Sequence, residues 1–137
     1  DEIFVFDEIY RTQLTTPEII DLIKEKLKMW NVNPDIYCEH EPDRNKAFMQ
    51  AGLKVFEAKK DVLVGINFLK TKKLHIHERC INTIKEIQGY KYKEDRNGNV
   101  LEEPVKFNDH TMDALRYAVF TYYGKPKVRV FQKPFGL

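Results

Sequence analysis

The chain has 137 residues, 42% of them hydrophobic and 12% aromatic, which predicts one folded domain with a sizeable core and excludes a disordered protein. Its formal net charge of +2 is too small to indicate nucleic-acid binding by itself. No apolar run is long enough to cross a bilayer, and no signal peptide opens the sequence. We therefore expect a soluble, cytoplasmic protein without a membrane partner, whose two cysteines, Cys38 and Cys80, are free thiols.

The chain up to residue 88 alternates between predicted strands and predicted helices. Residues 2–10 are rich in β-branched and aromatic side chains, which is typical of a strand. Thr15, followed by Pro17 and Glu18, forms a capping-box pattern that predicts a helix from here to about residue 30. Further patterns predict strands at 36–38, 53–58 and 74–77 and helices at 42–51, 61–71 and 80–88, the last with Ile81, Ile84 and Ile87 facing inward.

A hairpin and a final helix complete the predicted order. Residues 90–101 form the hairpin, with Asn97 and Gly98 at its turn. Residues 125–137 contain two prolines and predict an extension or linker. Strands that alternate with helices predict one α/β domain at residues 1–124 with a largely parallel sheet.

The final helix is predicted to begin after Asn108 or Asp109, either of which can be its N-cap, and to run to Tyr123. Its spacing predicts one apolar stripe that packs on the core, formed by Met112, Leu115, Val119 and Tyr122. Asp109, His110 and Asp113 share a face near the N-terminal end and are candidate metal ligands. The alternative interpretation is a helix cap plus a surface ion pair between Asp113 and Arg116.

A second candidate ligand, Glu39, follows the predicted strand 36–38. In open α/β sheets, ligands and catalytic groups collect at the carboxyl ends of the strands. A metal-dependent phosphodiester nuclease needs carboxylates from different elements around two cations about 4 Å apart. Mg²⁺ and Mn²⁺ prefer hard oxygen ligands with at most an occasional imidazole. Glu39, His110 and Asp113 suit that chemistry, although Glu39 and Glu41 could also be no more than an acidic loop.

Basic residues occur where a phosphate backbone could reach them. Lys59 and Lys60 follow the strand 53–58, at the sheet edge that is also expected to hold Glu39. The predicted hairpin carries three more basic residues, Lys91, Lys93 and Arg96. These side chains are candidate DNA contacts, and the alternative is that they are solvated surface charges.

The closing segment carries a family resemblance. It reads Asp109-His110-Thr111-Met112-Asp113-Ala114-Leu115-Arg116-Tyr117-Ala118 and is similar to the D/N-H-x-M-D-A-x-R-Y motif that closes the nuclease domain of tailed-phage terminase large subunits. Weaker matches follow in the family's order along nearly the whole chain, at 6–10, 36–41, 58–60 with 65–66, and 82–86 with 90–92. The chain resembles the C-terminal nuclease domain of these DNA-packaging enzymes, which also occur in prophages.

The resemblance implies a role for each candidate. Glu39 stands where the family's second catalytic carboxylate stands, usually an aspartate, and the longer side chain would shift its metal. Asp113 with His110 would be the last metal-binding group, Asp109 a neighbouring candidate, and Lys59 or Lys60 the lysine near the active-site edge. The implied cofactor is a pair of Mg²⁺ or Mn²⁺ ions.

The implied fold is a ribonuclease H-like mixed sheet flanked by helices that lacks its first strand or strands. The family's first catalytic aspartate lies on a strand before the one that opens this sequence, so the metal site of this chain alone is expected to be incomplete. The implied function is an endonuclease that cleaves concatemeric double-stranded DNA during viral packaging. Its partners would be DNA, the terminase ATPase domain, the small terminase subunit and the portal.

Two alternatives remain open from the sequence. The domain could be a non-catalytic docking module that contacts the packaging motor or portal, or it could belong to another branch of the superfamily, such as a resolvase or transposase. The sequence context of Asp113, with Arg116 and Tyr117 on the same helix, argues against the second alternative.

Overall fold

The computed structural model describes residues 2–89, 92–94, 96–98, 100–104 and 110–124, with side chains described for 2–89, 96–98 and 110–124. Several predictions therefore lie outside the described residues. They are the N-cap at Asn108 or Asp109, the ligand role of Asp109, the DNA contact of Lys91 and the extension at 125–137, and for Lys93 only the backbone is described.

The observed elements follow the predicted order and confirm a mixed α/β domain. In chain order they are β1 (Glu2–Val5), α1 (Thr16–Trp30), β2 (Asp35–Cys38), α2 (Pro42–Gln50), β3 (Lys54–Glu57), α3 (Val62–Lys70), β4 (Lys73–Ile76), α4 (Ile81–Gly89), β5 (Tyr92–Glu94), β6 (Val100–Pro104) and α5 (His110–Tyr123). In the part of the chain that the structure describes, no helix is long and apolar enough to cross a membrane.

The described strands form three pairs. β1 pairs in parallel with β4, and β2 pairs in parallel with β3, while β5 and β6 form the predicted antiparallel hairpin. Cys38 at the end of β2 lies opposite Glu57 at the end of β3, and the amide of Ala58 donates to the carbonyl of Cys38 at 2.8 Å. Residues that follow β2 and β3 therefore emerge at the same sheet edge.

The first strand is shorter than predicted, because it ends at Val5 and residues 6–10 are not part of it. Its ladder with β4 closes where the amide of His77 donates to the carbonyl of Val5. Beyond this point the side chains of Asp7 and Glu8 bind other elements. The aromatic and β-branched composition of 6–10 is therefore not the mark of a strand, and Phe6, Ile9 and Tyr10 are exposed.

One hydrophobic cluster joins α1, α2, β2 and β3. Its buried centre is Phe48, Leu53 and Val55, and α1 contributes half-buried side chains at the spacing of one helix face, namely Ile19, Ile20, Ile23 and Leu27. The predicted capping box is present, because Thr15 Oγ1 accepts from the amide of Glu18 while Glu18 Oε1 accepts from the amide of Thr15. This packing and capping fix α1 across β2.

The buried faces of the last two helices differ from the predicted ones. Ile81 and Tyr122 are each 56% exposed, whereas the buried side chains of α4 are Thr83 and Glu86. On α5, Arg116 is buried along with the expected Met112 and Val119. Glu86 and Thr111 join α4 and α5 through polar groups. Ile84, Ile87 and Leu115 are half-buried, so among the side chains predicted to face inward the wrong ones are Ile81 and Tyr122.

Asp7 connects the end of β1 to α1. Its carboxylate accepts hydrogen bonds from Lys26 Nζ at 2.9 Å and from Trp30 Nε1 at 2.8 Å. Partial burial alone would raise the pKa of Asp7, but the hydrogen bonds from Trp30 and Lys26 outweigh burial and hold the pKa below its usual value. The ionised form of Asp7 therefore stabilises the fold.

This interaction predicts a pH-dependent stability difference for Asp7→Asn. The carboxylate's contribution is complete above the ordinary pKa of aspartate, about 4, and is lost as the pH falls through the lower pKa of the folded state. At pH 7 the variant should lose about 1–3 kcal/mol of unfolding free energy. Urea denaturation from pH 2 to 7 should show that the unfolding free energies of wild type and Asp7→Asn become equal at low pH. Asp21→Asn, at an exposed position on the same helix, is the control, and equal curves for wild type and Asp7→Asn would contradict the prediction.

Candidate active site

A cavity of about 340 Å³ lies at the carboxyl end of β2, beside the N-terminal half of α5. Glu39 enters it directly after β2, and its backbone carbonyl accepts from Asn45 Nδ2 and from the amide of Glu41. Asn45 is buried in α2, so this helix fixes the turn that carries Glu39. The side chains with polar groups that line the cavity are Tyr37, Cys38, Glu39, Glu41, Arg44, Asn45, His110, Asp113 and Tyr117.

Tyr117 joins α5 to the turn after β2. Its hydroxyl donates to Glu39 Oε1 at 2.9 Å, across 78 residues of sequence. Burial raises the pKa of Tyr117, and the hydrogen bond to Glu39 and the negative charge of that carboxylate raise it further. The phenol therefore stays protonated near neutral pH and remains a donor to Glu39.

Asp113 is paired with Arg116, one helical turn further along α5. Arg116 Nη2 lies 3.0 Å from Asp113 Oδ1, and Arg116 Nη1 donates to the carbonyl of Lys60 at 3.4 Å. The expected ion pair is therefore present, but its location is not the predicted surface, since the Arg116 side chain is only 5% exposed. The pair fixes Asp113 on the cavity wall.

Gly65 in α3 provides the space for Arg116. A Cβ atom at Gly65 would lie 2.7 Å from both Cγ and Cδ of Arg116, which is closer than side-chain atoms can approach. The aliphatic part of the Arg116 side chain thus packs directly against the backbone of α3 at Gly65. The requirement for glycine here comes from this close approach to the site's own arginine.

The structure brings together three of the predicted site residues, since Glu39, His110 and Asp113 line the same cavity. His110 is exposed in the first turn of α5, and its ring centroid lies 6.4 Å from that of Tyr10. Glu41 lines the cavity as well, where it pairs with Arg44 at 3.0 Å.

The predicted DNA-contacting lysines follow β3 at the expected edge, but one of them has an intramolecular partner. Lys59 Nζ donates to the carbonyl of Gly124 at 2.9 Å, and the Lys59 amide donates to Thr121 Oγ1. Lys60 contributes its carbonyl to Arg116, and its side chain is exposed. Arg96 is exposed at the hairpin turn, where Gly98 has a φ of +80°.

Sequence reasoning missed Tyr117 and Glu86 as contributors to this region. Tyr117 is four residues after Asp113, a helical spacing that places it on the same face and could have revealed it. Glu86 binds backbone amides in the first turn of α5 from 25 residues away. No local pattern identifies a contact of that kind.

The side chains around the cavity suit a divalent cation by their chemistry. Three carboxylates and one imidazole line it, and carboxylate oxygens are the ligands that Mg²⁺ and Mn²⁺ prefer. Two of the carboxylates are oriented by neighbours, Glu39 by Tyr117 and Asp113 by Arg116, as metal ligands commonly are. Within the described ranges, no three histidine, cysteine, aspartate or glutamate side chains are grouped closely enough to hold a metal ion.

An α/β domain with acidic side chains at the carboxyl edge of its parallel strands fits the ribonuclease H-like class. Residues 1–120 match the terminase RNase H-like domain family, and the chain belongs to that family.

A named relative agrees with this membership. The chain is 25% identical over 125 residues to the PBSX phage terminase large subunit of Bacillus subtilis (strain 168), a match that covers 88% of the chain and 28% of the relative. The chain therefore spans less than a third of that protein's length.

Two solved structures share its fold. The nuclease domain of g2p, the large terminase of bacteriophage SPP1, solved with bound Mn, superimposes with a TM-score of 0.74 at 24% identity, over 85% of this chain and 69% of that one. The large terminase of a thermophilic bacteriophage gives a TM-score of 0.67 at 26% identity, over 81% of this chain and 30% of that one. These structures confirm the expected ribonuclease H-like fold.

Replacing a glycine inside a helix by alanine usually stabilises a protein, but the close approach at Gly65 predicts the opposite change in unfolding free energy. Gly65→Ala should destabilise the protein by about 1–3 kcal/mol, because the new methyl group forces Arg116 away from Asp113. Gly89→Ala at the end of α4 is the matched control, since among the described residues nothing lies within 4 Å of its added Cβ. The control should be neutral or up to about 1 kcal/mol more stable. Denaturant titration compares the two, and equal effects would contradict the role given to Gly65.

Proposed function

We propose that this domain is the metal-dependent endonuclease of a phage or prophage terminase large subunit, which cleaves concatemeric double-stranded DNA by two-metal hydrolysis. The observation that carries the proposal is the placement of Glu39, His110 and Asp113 around one cavity, with both carboxylates oriented by residues of α5. Membership of the terminase RNase H-like family supports it, and so does the bound Mn in the SPP1 relative.

In this proposal Glu39 and Asp113 hold the metals, and His110 either coordinates a metal or positions a neighbouring group. A divalent cation supplies Lewis acidity and a water of lowered pKa when it is bound. Tyr117 restrains the Glu39 carboxylate by hydrogen bonding to one of its oxygens. Arg116 restrains Asp113 and places a positive charge beside the site. Asp109, a neighbouring residue, is retained as a candidate ligand from sequence alone.

DNA would approach along the edge where β2 and β3 end. Lys60 is exposed there, and Lys59 joins this edge to the end of α5. We assign backbone contacts to these two lysines and to the hairpin residues Lys91, Lys93 and Arg96. Because phosphate contacts carry no base information, cleavage would be largely independent of sequence.

The wider setting follows from the relatives and forms part of the proposal. The protein would act in the host cytoplasm, with the ATPase domain, the small terminase subunit and the portal as partners. A second candidate function is a docking module without catalysis. Within the described residues, no three histidine, cysteine, aspartate or glutamate side chains are grouped closely enough to hold a metal ion, and this favours the second function.

The nuclease assignment predicts the loss of plasmid nicking when either carboxylate is replaced. In the full-length protein, Asp113→Asn and Glu39→Gln should each reduce Mn²⁺-dependent nicking of supercoiled plasmid about 100-fold or more, because metal stabilisation of charge is worth several kcal/mol. Glu57→Gln is the control, since this exposed carboxylate ends the neighbouring strand and pairs with His40. Wild-type nicking by Asp113→Asn would overturn the assignment.

The contact between Tyr117 and Glu39 predicts an effect on metal affinity. Tyr117→Phe removes only the hydroxyl and should weaken Mn²⁺ binding about 10-fold, as the loss of a residue that orients a ligand usually does. Thermal unfolding across a Mn²⁺ titration measures this, because a ligand that binds only the folded state raises the midpoint. Tyr123→Phe, near the end of the same helix, should behave as wild type. A wild-type midpoint that does not respond to Mn²⁺ would favour the docking module.

A further inference from the structure

Glu86 carries a carboxylate into the interface between α4 and α5. The residue is 6% exposed, and its Oε1 atom accepts hydrogen bonds from three donors in the first turn of α5. The donors are the amide of Thr111 at 2.7 Å, the hydroxyl of Thr111 at 2.8 Å and the amide of Met112 at 3.3 Å. A carboxylate from one helix therefore caps another helix that begins 24 residues later in the chain.

These donors need a partner for a general reason. The first amides of an α-helix have no acceptor within the helix, and their aligned dipoles place partial positive charge at that end. A buried carboxylate at this position accepts hydrogen bonds from these amides, and its negative charge balances the partial positive charge of the helix start. Its removal would leave buried amides without an acceptor and would free the first turn to fray.

The first turn of α5 is also the turn that carries the candidate metal ligands. His110 directly precedes Thr111, and Asp113 directly follows Met112. The backbone that Glu86 holds is therefore the backbone from which both ligand side chains leave. Restraining two consecutive amides between the ligands fixes the directions of the Cα–Cβ bonds from which these side chains begin.

The helix that carries Glu86 is held in a similar way. Glu8, just after β1, accepts from the amide of Asn82 at 2.8 Å and from the hydroxyl of Thr83 at 3.3 Å. Glu8 thereby caps the start of α4, and Glu86 caps the start of α5. This sequence of contacts leads from the end of β1 through α4 to the turn that carries His110 and Asp113.

We propose that Glu86 is a positioning residue for the candidate metal centre: by capping α5 it aims His110 and Asp113 into the cavity that Glu39 enters. The inference rests on the proposed function, because it takes those two side chains as metal ligands. Glu86 does not line that cavity, and its hydrogen bonds reach α5 at Thr111 and Met112, which lie between the two ligand residues.

The test compares Mn²⁺ affinity in variants of the full-length protein, measured as free Mn²⁺ by electron paramagnetic resonance. Glu86→Ala should weaken binding about 10- to 100-fold, the usual range when a residue that positions ligands is lost. Glu86→Gln retains a carbonyl oxygen for the α5 donors and should recover most of the affinity. If Glu86→Ala folds and binds Mn²⁺ as wild type does, the proposal is wrong.

A control at a second helix cap, the exposed Glu18, separates positioning from general stability. Glu18 also caps a helix with Oε1, which accepts from the amide of Thr15 at 3.1 Å and from its hydroxyl at 2.8 Å. Glu18→Ala should lower the unfolding midpoint and leave Mn²⁺ affinity unchanged. If Glu18→Ala weakens Mn²⁺ binding as much as Glu86→Ala does, the effect is one of general stability and the positioning role is overturned.

A measurement without metal keeps the inference separate from the proposed function. In Glu86→Ala, amide hydrogen exchange at Thr111 and Met112 should accelerate about 10-fold or more, while amides near Val119 keep their wild-type rates. Thr111→Val removes one of the three donors and serves if Glu86→Ala does not fold, with a smaller acceleration expected at Met112. Unchanged exchange at these amides overturns the positioning role. Failure of the wild type to bind Mn²⁺, by contrast, overturns the proposed nuclease.

Discussion

The buried guanidinium of Arg116 is the interaction on which this region of the molecule depends. Its side chain is 5% exposed, pairs with Asp113 and donates to the carbonyl of Lys60. A buried charge is tolerated only while its partners remain in place, and removing one partner usually costs several kcal/mol. The α3 backbone at Gly65 leaves the space through which the arginine passes. Arg116 therefore joins α5 to α3 and to the loop between β3 and α3, where Lys59 adds hydrogen bonds to the end of α5.

The candidate site is organised by one face of α5. Asp113 faces the cavity, and Arg116 and Tyr117 follow three and four residues later, so all three lie on neighbouring positions of the helix surface. Tyr117 reaches the carboxylate after β2, while Arg116 reaches the backbone after β3. Both strands of one parallel pair are thus joined at their carboxyl ends to the same helix. A shift of α5 would therefore move Asp113 and disturb the hydrogen bond that Tyr117 donates to Glu39.

Local patterns in the sequence correctly predicted the features that depend on neighbouring residues in the chain. The capping box of α1 and the alternation of strands with helices are confirmed, and so is the ribonuclease H-like fold implied by the closing motif. Three predictions were wrong: the residue at which β1 ends, the inward orientation of Ile81 and the surface location of Arg116. The end of β1 depends on the contacts of Asp7 with α1 and of Glu8 with α4. The burial of Arg116 depends on Gly65 and Lys60, and residue spacing does not encode such distant partners. The predicted roles of Glu39, His110 and Asp113 remain predictions, although these residues do share a cavity.

The contact between Tyr117 and Glu39 joins residues 78 positions apart, and that between Asn82 and Glu8 joins residues 74 apart. Closing such long loops costs conformational entropy, so contacts of this kind are unfavourable until much of the chain has folded. A partly folded chain therefore presents its acidic side chains separately, without the shared cavity. The cavity exists only in the completed fold, and the fraction of molecules able to use it equals the fraction that is fully native.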